Sequence, residues 1–88
     1  MTEITSLVED YNPGKAFSLL LVPKEGGSVE DGSWVKIEAK LPYPEDQYVR
    51  VPVRVGEWQE MVFKALKAGT IDTSDVEIWV SLMNNYKM

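Results

Sequence analysis

The chain has no cysteine and no histidine among its 88 residues. Without cysteine there can be no disulfide, no thiolate nucleophile and no cysteine-based zinc site. Without histidine the commonest general base and the commonest metal ligand are missing. No apolar run approaches the roughly 18–20 residues of a membrane-spanning helix; the longest, LLLV, covers Leu19 to Val22. The first residues, MTEITSLVED, lack the basic start and long apolar core of a signal peptide, so the expectation is a cytoplasmic protein with no membrane association. Net positive charge is lacking too. A formal charge of −5 argues against non-specific coating of duplex DNA, which needs a basic surface.

What is present is an ordinary globular composition, 44% hydrophobic and 26% charged, in a length that suits one domain spanning residues 1–88 with one modest core. Residues 2–11 are ambiguous. Ile4, Leu7, Val8 and Tyr11 have helical spacing, yet Asn12-Pro13-Gly14-Lys15 is suited to a type II turn, favouring an extended arm that leads into a strand. Ala16 to Val22 reads as a strand covered on both faces, ended by Pro23. Lys24 to Ser33 reads as a mobile polar loop.

The most informative stretch is WVKIEAKLPYPEDQYVRVPVRV, Trp34 to Val55. Val35, Ile37, Ala39 and Leu41 alternate with Trp34, Lys36, Glu38 and Lys40. After the turn PYPEDQ, Val49, Val51, Val53 and Val55 alternate with Tyr48, Arg50, Pro52 and Arg54. Period two in both halves predicts a hairpin with a buried odd face and an exposed even face. Directly opposed residues must share a face. One register pairs Lys40 with Arg50 and Lys36 with Arg54, two like-charge clashes. The other pairs Glu38 with Arg50, Lys40 with Tyr48 and Trp34 with Arg54, and is the one expected. Pro52 has no N–H, which points to an edge strand or to a gap in the ladder there.

Gly56 to Gly69 carries Trp58, Met61, Val62, Ala65 and Leu66 at helical spacing, with Glu57 in the first turn and lysines near the end, and predicts a helix with Phe63 at the margin of its apolar stripe. Val76 to Met83 predicts a last strand, with Val76, Ile78, Val80 and Leu82 inward and Glu77, Trp79, Ser81 and Met83 outward. The expected fold is α+β: an antiparallel sheet of about four strands in the order β-β-β-α-β, with one helix on the aliphatic face.

That arrangement would leave one sheet face open, carrying Trp34, Tyr48 and Trp79 with Lys36, Lys40, Arg50 and Arg54. Aromatic platforms among cations are the combination that binds single-stranded DNA or RNA. Charge is distributed accordingly. Residues 34–54 hold four cations against three acids, whereas residues 1–33 hold two against six. The competing readings are a solvated, aggregation-resistant strand face and a protein interface. The latter would be a homodimeric interaction module, a small accessory or inhibitory factor with an acidic N-terminal surface that could meet a further protein partner. Phe63, Met83 and Tyr86 would add to such an assembly surface, and pairing of edge strands would give a symmetric dimer.

Catalysis is not expected, nor is a cofactor or a metal. The closest acid pairs, Glu45 with Asp46 and Asp72 with Asp75, fall in predicted turns, where aspartate ordinarily organises backbone. EGGS, at Glu25 to Ser28, lacks the spacing and lysine of a phosphate-binding P-loop. The predicted element order is similar to that of OB-fold barrels, in which a helix lies between the third and fourth strands, and to small sheet-plus-helix single-strand binders that dimerise. ITSLVEDYNPGKAFSLLLV resembles the beginning of such a barrel. The chain departs from that pattern in having no room for a fifth strand after Met83 unless the strand order is permuted, and the resemblance assigns no functional residue.

Overall fold

A computed structural model of the chain describes residues 1–44 and 46–83. Its strands are β1 (Thr2–Ile4), β2 (Phe17–Pro23), β3 (Trp34–Lys40), β4 (Val49–Arg54), β5 (Ala65–Leu66) and β6 (Val76–Leu82). They form two three-stranded antiparallel sheets, ordered β1-β6-β2 and β4-β3-β5. There is no helix among the described residues, and so none long and apolar enough to cross a membrane.

The expected α+β fold with a helix over Gly56 to Gly69 is therefore corrected to an all-β one, and the likeness to a barrel with a helix between its strands loses that helix. Phe63, marginal to the helical stripe, is fully buried, while Trp58, on the stripe, is 38% exposed. Burial instead deepens along every second residue, from half-buried Gln59 and Met61 to buried Phe63 and Ala65. The backbone explains why the extended form wins. Gly56, Gln59 and Phe63 donate their N–H groups to the carbonyls of Leu21, Leu19 and Phe17 on β2, at 2.8, 3.0 and 2.9 Å. Lys64 and Lys67 donate to Lys40 and Glu38 on β3, at 2.7 and 3.0 Å. The segment thus stitches the two sheets together along edges that would otherwise lack partners. A helix satisfies only its own backbone and would leave both edges open. Intrinsic helix preference, worth tenths of a kcal/mol per residue, yields to that.

The other strands follow their patterns closely. The β3–β4 hairpin has the electrostatically favoured register, with Trp34 opposite Arg54 and Glu38 opposite Arg50. Ile37, Ala39, Val51, Val53 and Val55 are buried, and Lys36, Arg50, Pro52 and Arg54 are exposed. Val76, Ile78 and Val80 face inward on β6, while Leu82, also expected inward, is 40% exposed at the sheet end. The centre of the core is aromatic. The Phe17 ring stacks on Phe63 at 6.0 Å and meets Tyr11 edge-on at 5.2 Å, and burial raises the Tyr11 phenol above its ordinary pKa. Tyr11 is also held from behind, exchanging backbone hydrogen bonds with Leu66.

The loop after β2 is anchored, not loose. Lys24 N–H donates to the Asp75 carbonyl at 2.9 Å and Ser28 N–H to the Asp75 carboxylate at 3.1 Å. A Cβ on Gly27 would stand 2.7 Å from that same carbonyl oxygen, so only glycine permits the approach. Gly56, where the chain leaves β4 to cross to β2, has φ +100° and is packed against the Asp31 carboxylate. Gly56→Ala is expected to destabilise the fold by about 1–3 kcal/mol, chiefly through that backbone angle; the shift of the urea midpoint at constant slope measures it.

Candidate nucleic-acid interface

The seven side chains singled out from the sequence do not share one face. Trp34, Lys36, Lys40, Tyr48, Arg50 and Arg54 lie on or beside the outer face of the β4-β3-β5 sheet. Trp79 belongs to the other sheet, in its middle strand β6, opposite Leu20 of β2 and Glu3 of β1. Its indole N–H donates to the Glu77 carboxylate at 3.0 Å. The reading of a single open face fails because the aliphatic sides of two sheets cover each other, so the outward residues of β3 and β6 point in different directions.

On the outer face of β3 and β4 the aromatic residues play different parts. Trp34 is 63% exposed. The Arg54 guanidinium lies 5.9 Å from its ring centroid; it covers one ring face by a cation–π contact, and most of the indole remains accessible. Tyr48 is engaged within the chain. Lys40 Nζ sits 5.0 Å over its ring, and its hydroxyl donates to Asp10, whose carboxylate also accepts the Ala68 N–H at 2.7 Å. Partial burial and the neighbouring Asp10 charge raise the Tyr48 phenol above its ordinary pKa. Tyr48 is thus a tie between the hairpin, the N-terminal arm and the turn after β5.

The same contacts make Asp10 a pH-sensitive tie. The Ala68 N–H, the Tyr48 hydroxyl and then Lys67 and Lys40 all favour its charged form, so its pKa falls below the ordinary 3.8. A carboxylate whose native pKa is lowered stabilises the fold above its unfolded value, and that contribution is lost as pH falls through the native value. Asp72 behaves in the same sense, through Ser74 and then Lys24. Asp10→Asn is expected to flatten the acid limb of the stability–pH profile, read from denaturant midpoints at successive pH values, and to leave the neutral limb parallel to that of the parent.

Two cations missed in the sequence reading join this sheet. Lys64 bonds through its backbone to Lys40, and Lys67 Nζ pairs with Glu38 at 3.1 Å. Placed on a helix, both would have been far from the hairpin; extended pairing beside β3 brings them in. The pair with Lys67 also offsets the charge of Glu38 on the face. Six of the nine lysines and arginines in the chain therefore lie on or beside this sheet: Lys36, Lys40, Arg50, Arg54, Lys64 and Lys67. Tyr43, 91% exposed in the hairpin loop, is a further aromatic that a turn reading passes over.

The face has an acidic border. A groove of about 400 Å³ runs from Trp34, Pro52 and Arg54 to Glu57, Gln59, Glu60 and Met61. Its volume is within the range of small-ligand sites, about 300–1,000 Å³. The two glutamates bound one side, so an anion following the cations would run from Arg54 toward Lys36, Arg50 and Lys40 and away from them. At that border the end of the β4 edge is capped. The Gln59 amide donates to the Arg54 carbonyl at 2.6 Å and accepts the Arg54 N–H at 3.0 Å, and Pro52 offers no N–H. A symmetric dimer built by pairing β4 edges is thereby disfavoured.

Of the carboxylates considered for catalysis, Asp72 and Asp75 hold loop backbone. Asp72 accepts both the N–H and the hydroxyl of Ser74, at 2.9 and 2.7 Å, and Asp75 holds Ser28. Glu45, which the sequence pairs with Asp46, and Tyr86 lie outside the described residues. No family model, no curated protein and no solved structure matches this chain.

Proposed function

We propose that the protein binds single-stranded nucleic acid on the outer face of the β3–β4 hairpin. The observation carrying this reading is the coincidence, in a chain of net charge −5, of most of the cations with a 63% exposed tryptophan on one sheet. Trp34 stacks a base on its accessible face, with Arg54 behind it. Lys36, Arg50 and Lys40 follow the phosphates. Stacking tolerates any base, so the binding is weakly selective in sequence, and it contributes about 1–3 kcal/mol per base.

Tryptophan fluorescence on titration with a mixed-sequence single-stranded oligonucleotide tests this, using a Trp58→Phe/Trp79→Phe background so that Trp34 alone reports. Quenching is expected at low salt and is reversed by salt. For three to four phosphates neutralised on a single strand, affinity should fall by about 20–50-fold between 50 and 200 mM salt. Absence of quenching at high micromolar oligonucleotide would remove nucleic acid as the ligand of this face.

A further inference from the structure

The strands of the two sheets carry opposite charge. β1, β2 and β6 contain Glu3 and Glu77 and no lysine or arginine, whereas β3 and β4 contain Lys36, Lys40, Arg50 and Arg54 against Glu38. The outer side of the acidic sheet also carries a row of apolar side chains. Glu3 is paired with Trp79, Trp79 with Leu20, and Leu20 with Trp58. Directly opposed residues share a face, so these four form one row across the sheet. Trp79 and Leu20 are half-buried and Trp58 is exposed. The indole N–H of Trp79 is already spent on Glu77, leaving its ring as the contact surface. An aromatic strip with Glu3 at one end and Glu77 beside Trp79, and no cation on its own strands, is complementary to guanidinium and ammonium groups, through cation–π contact and ion pairing together.

We propose that this outer face of the β1-β6-β2 sheet docks the β3–β4 face of a second copy of the chain, head to tail. Arg50, Arg54 and Lys36 of one copy meet Trp79, Glu77 and Glu3 of the next. The two faces differ, so the contact is heterologous and can repeat into rings or short chains. Two strands of seven residues flanked by one of three span at most roughly 23 by 14 Å, far below the ~800 Å² per partner of a standard interface. The association is accordingly weak, reversible and sensitive to salt. It stands apart from the nucleic-acid reading, although an oligonucleotide on the basic face would compete with it.

Sedimentation velocity without nucleic acid, from micromolar to several hundred micromolar, tests the proposal. The parent should gain mass with concentration at low salt and return to monomer at high salt. Two conservative variants separate the faces: Glu3→Gln/Glu77→Gln, in which the glutamine can still accept the Trp79 N–H, and Arg50→Gln/Arg54→Gln. All four positions are exposed or half-buried, and unchanged melting curves would verify folding. Each variant alone should lose the concentration dependence. An equimolar mixture retains one intact pairing and should form a heterodimer that grows no further. Self-association of the arginine variant equal to that of the parent would mean that the acidic sheet pairs with itself and would overturn the proposal. So would a parent that stays monomeric throughout at low salt.

Discussion

Phe63→Ala is expected to remove about 3–5 kcal/mol of stability. A chain of this length has on the order of 4–13 kcal/mol in total, so the variant should be partly unfolded at physiological temperature. Phe63 is 0% exposed, its ring stacks on Phe17, and its backbone exchanges two hydrogen bonds of 2.9 Å with Phe17. Those bonds prevent the surrounding strands from collapsing into the space the ring vacates, which places the cost toward the upper end of the range. Trp58→Ala is the informative partner. Trp58 lies on the outer surface against Leu20 and is 38% exposed, so its loss should cost less than that of Phe63, about 2–3 kcal/mol for the part of its apolar surface that is covered. A helix over the same residues would reverse the order, with Trp58 on the buried stripe and Phe63 at its margin. Denaturant midpoints of the two variants therefore decide between the extended and helical forms of residues 56–69. A larger loss for Trp58→Ala would contradict the extended segment.

Trp34→Ala should weaken oligonucleotide binding by about 5–150-fold, the equivalent of one stacked base, while leaving the melting curve nearly unchanged because the ring is mostly in solvent. Trp79→Ala should leave affinity for the oligonucleotide unaltered, since Trp79 lies on the other sheet. That pair of results separates the two-sheet arrangement from a single aromatic face, in which both substitutions would weaken binding. Arg50→Ala adds a charge readout. Removal of one phosphate contact should reduce the slope of log affinity against log salt by about 0.7. An unchanged slope would take Arg50 off the path of the strand, and equal losses for Trp34→Ala and Trp79→Ala would return Trp79 to the site.

Much of the hairpin was legible because its signal is local. Each odd residue from Val35 to Ala39 and from Val49 to Val55 is aliphatic, each even one is polar, aromatic or proline, and the charges on the even face select one register over the other. The turn at Asn12 to Lys15 is legible for the same reason: Gly14 has the positive φ that Pro-Gly implies, at +80°. Gly56 to Gly69 was not legible, because Trp58, Met61, Val62, Ala65 and Leu66 satisfy a helical period while Gln59, Met61, Phe63 and Ala65 satisfy an extended one. Two periods fit the same residues, and local preference chose the helix.

The sequence by itself determined that the chain relies on no cysteine or histidine chemistry, that its cations gather on and after one hairpin, and which residues of that hairpin meet across it. These are properties of composition and of nearest neighbours along a strand. Tertiary structure alone decided that the Gly56 to Gly69 segment is extended, that Lys64 and Lys67 join the basic sheet, that Tyr48 is tied to Asp10, and that Trp34 and Trp79 lie on separate surfaces. The physical reason is the same for all four. The edges of β2 and β3 have backbone groups that require partners, and the segment that satisfies them lies dozens of residues away in the chain. No local pattern records which edge a segment will close, and the positions of all the side chains around it follow from that pairing.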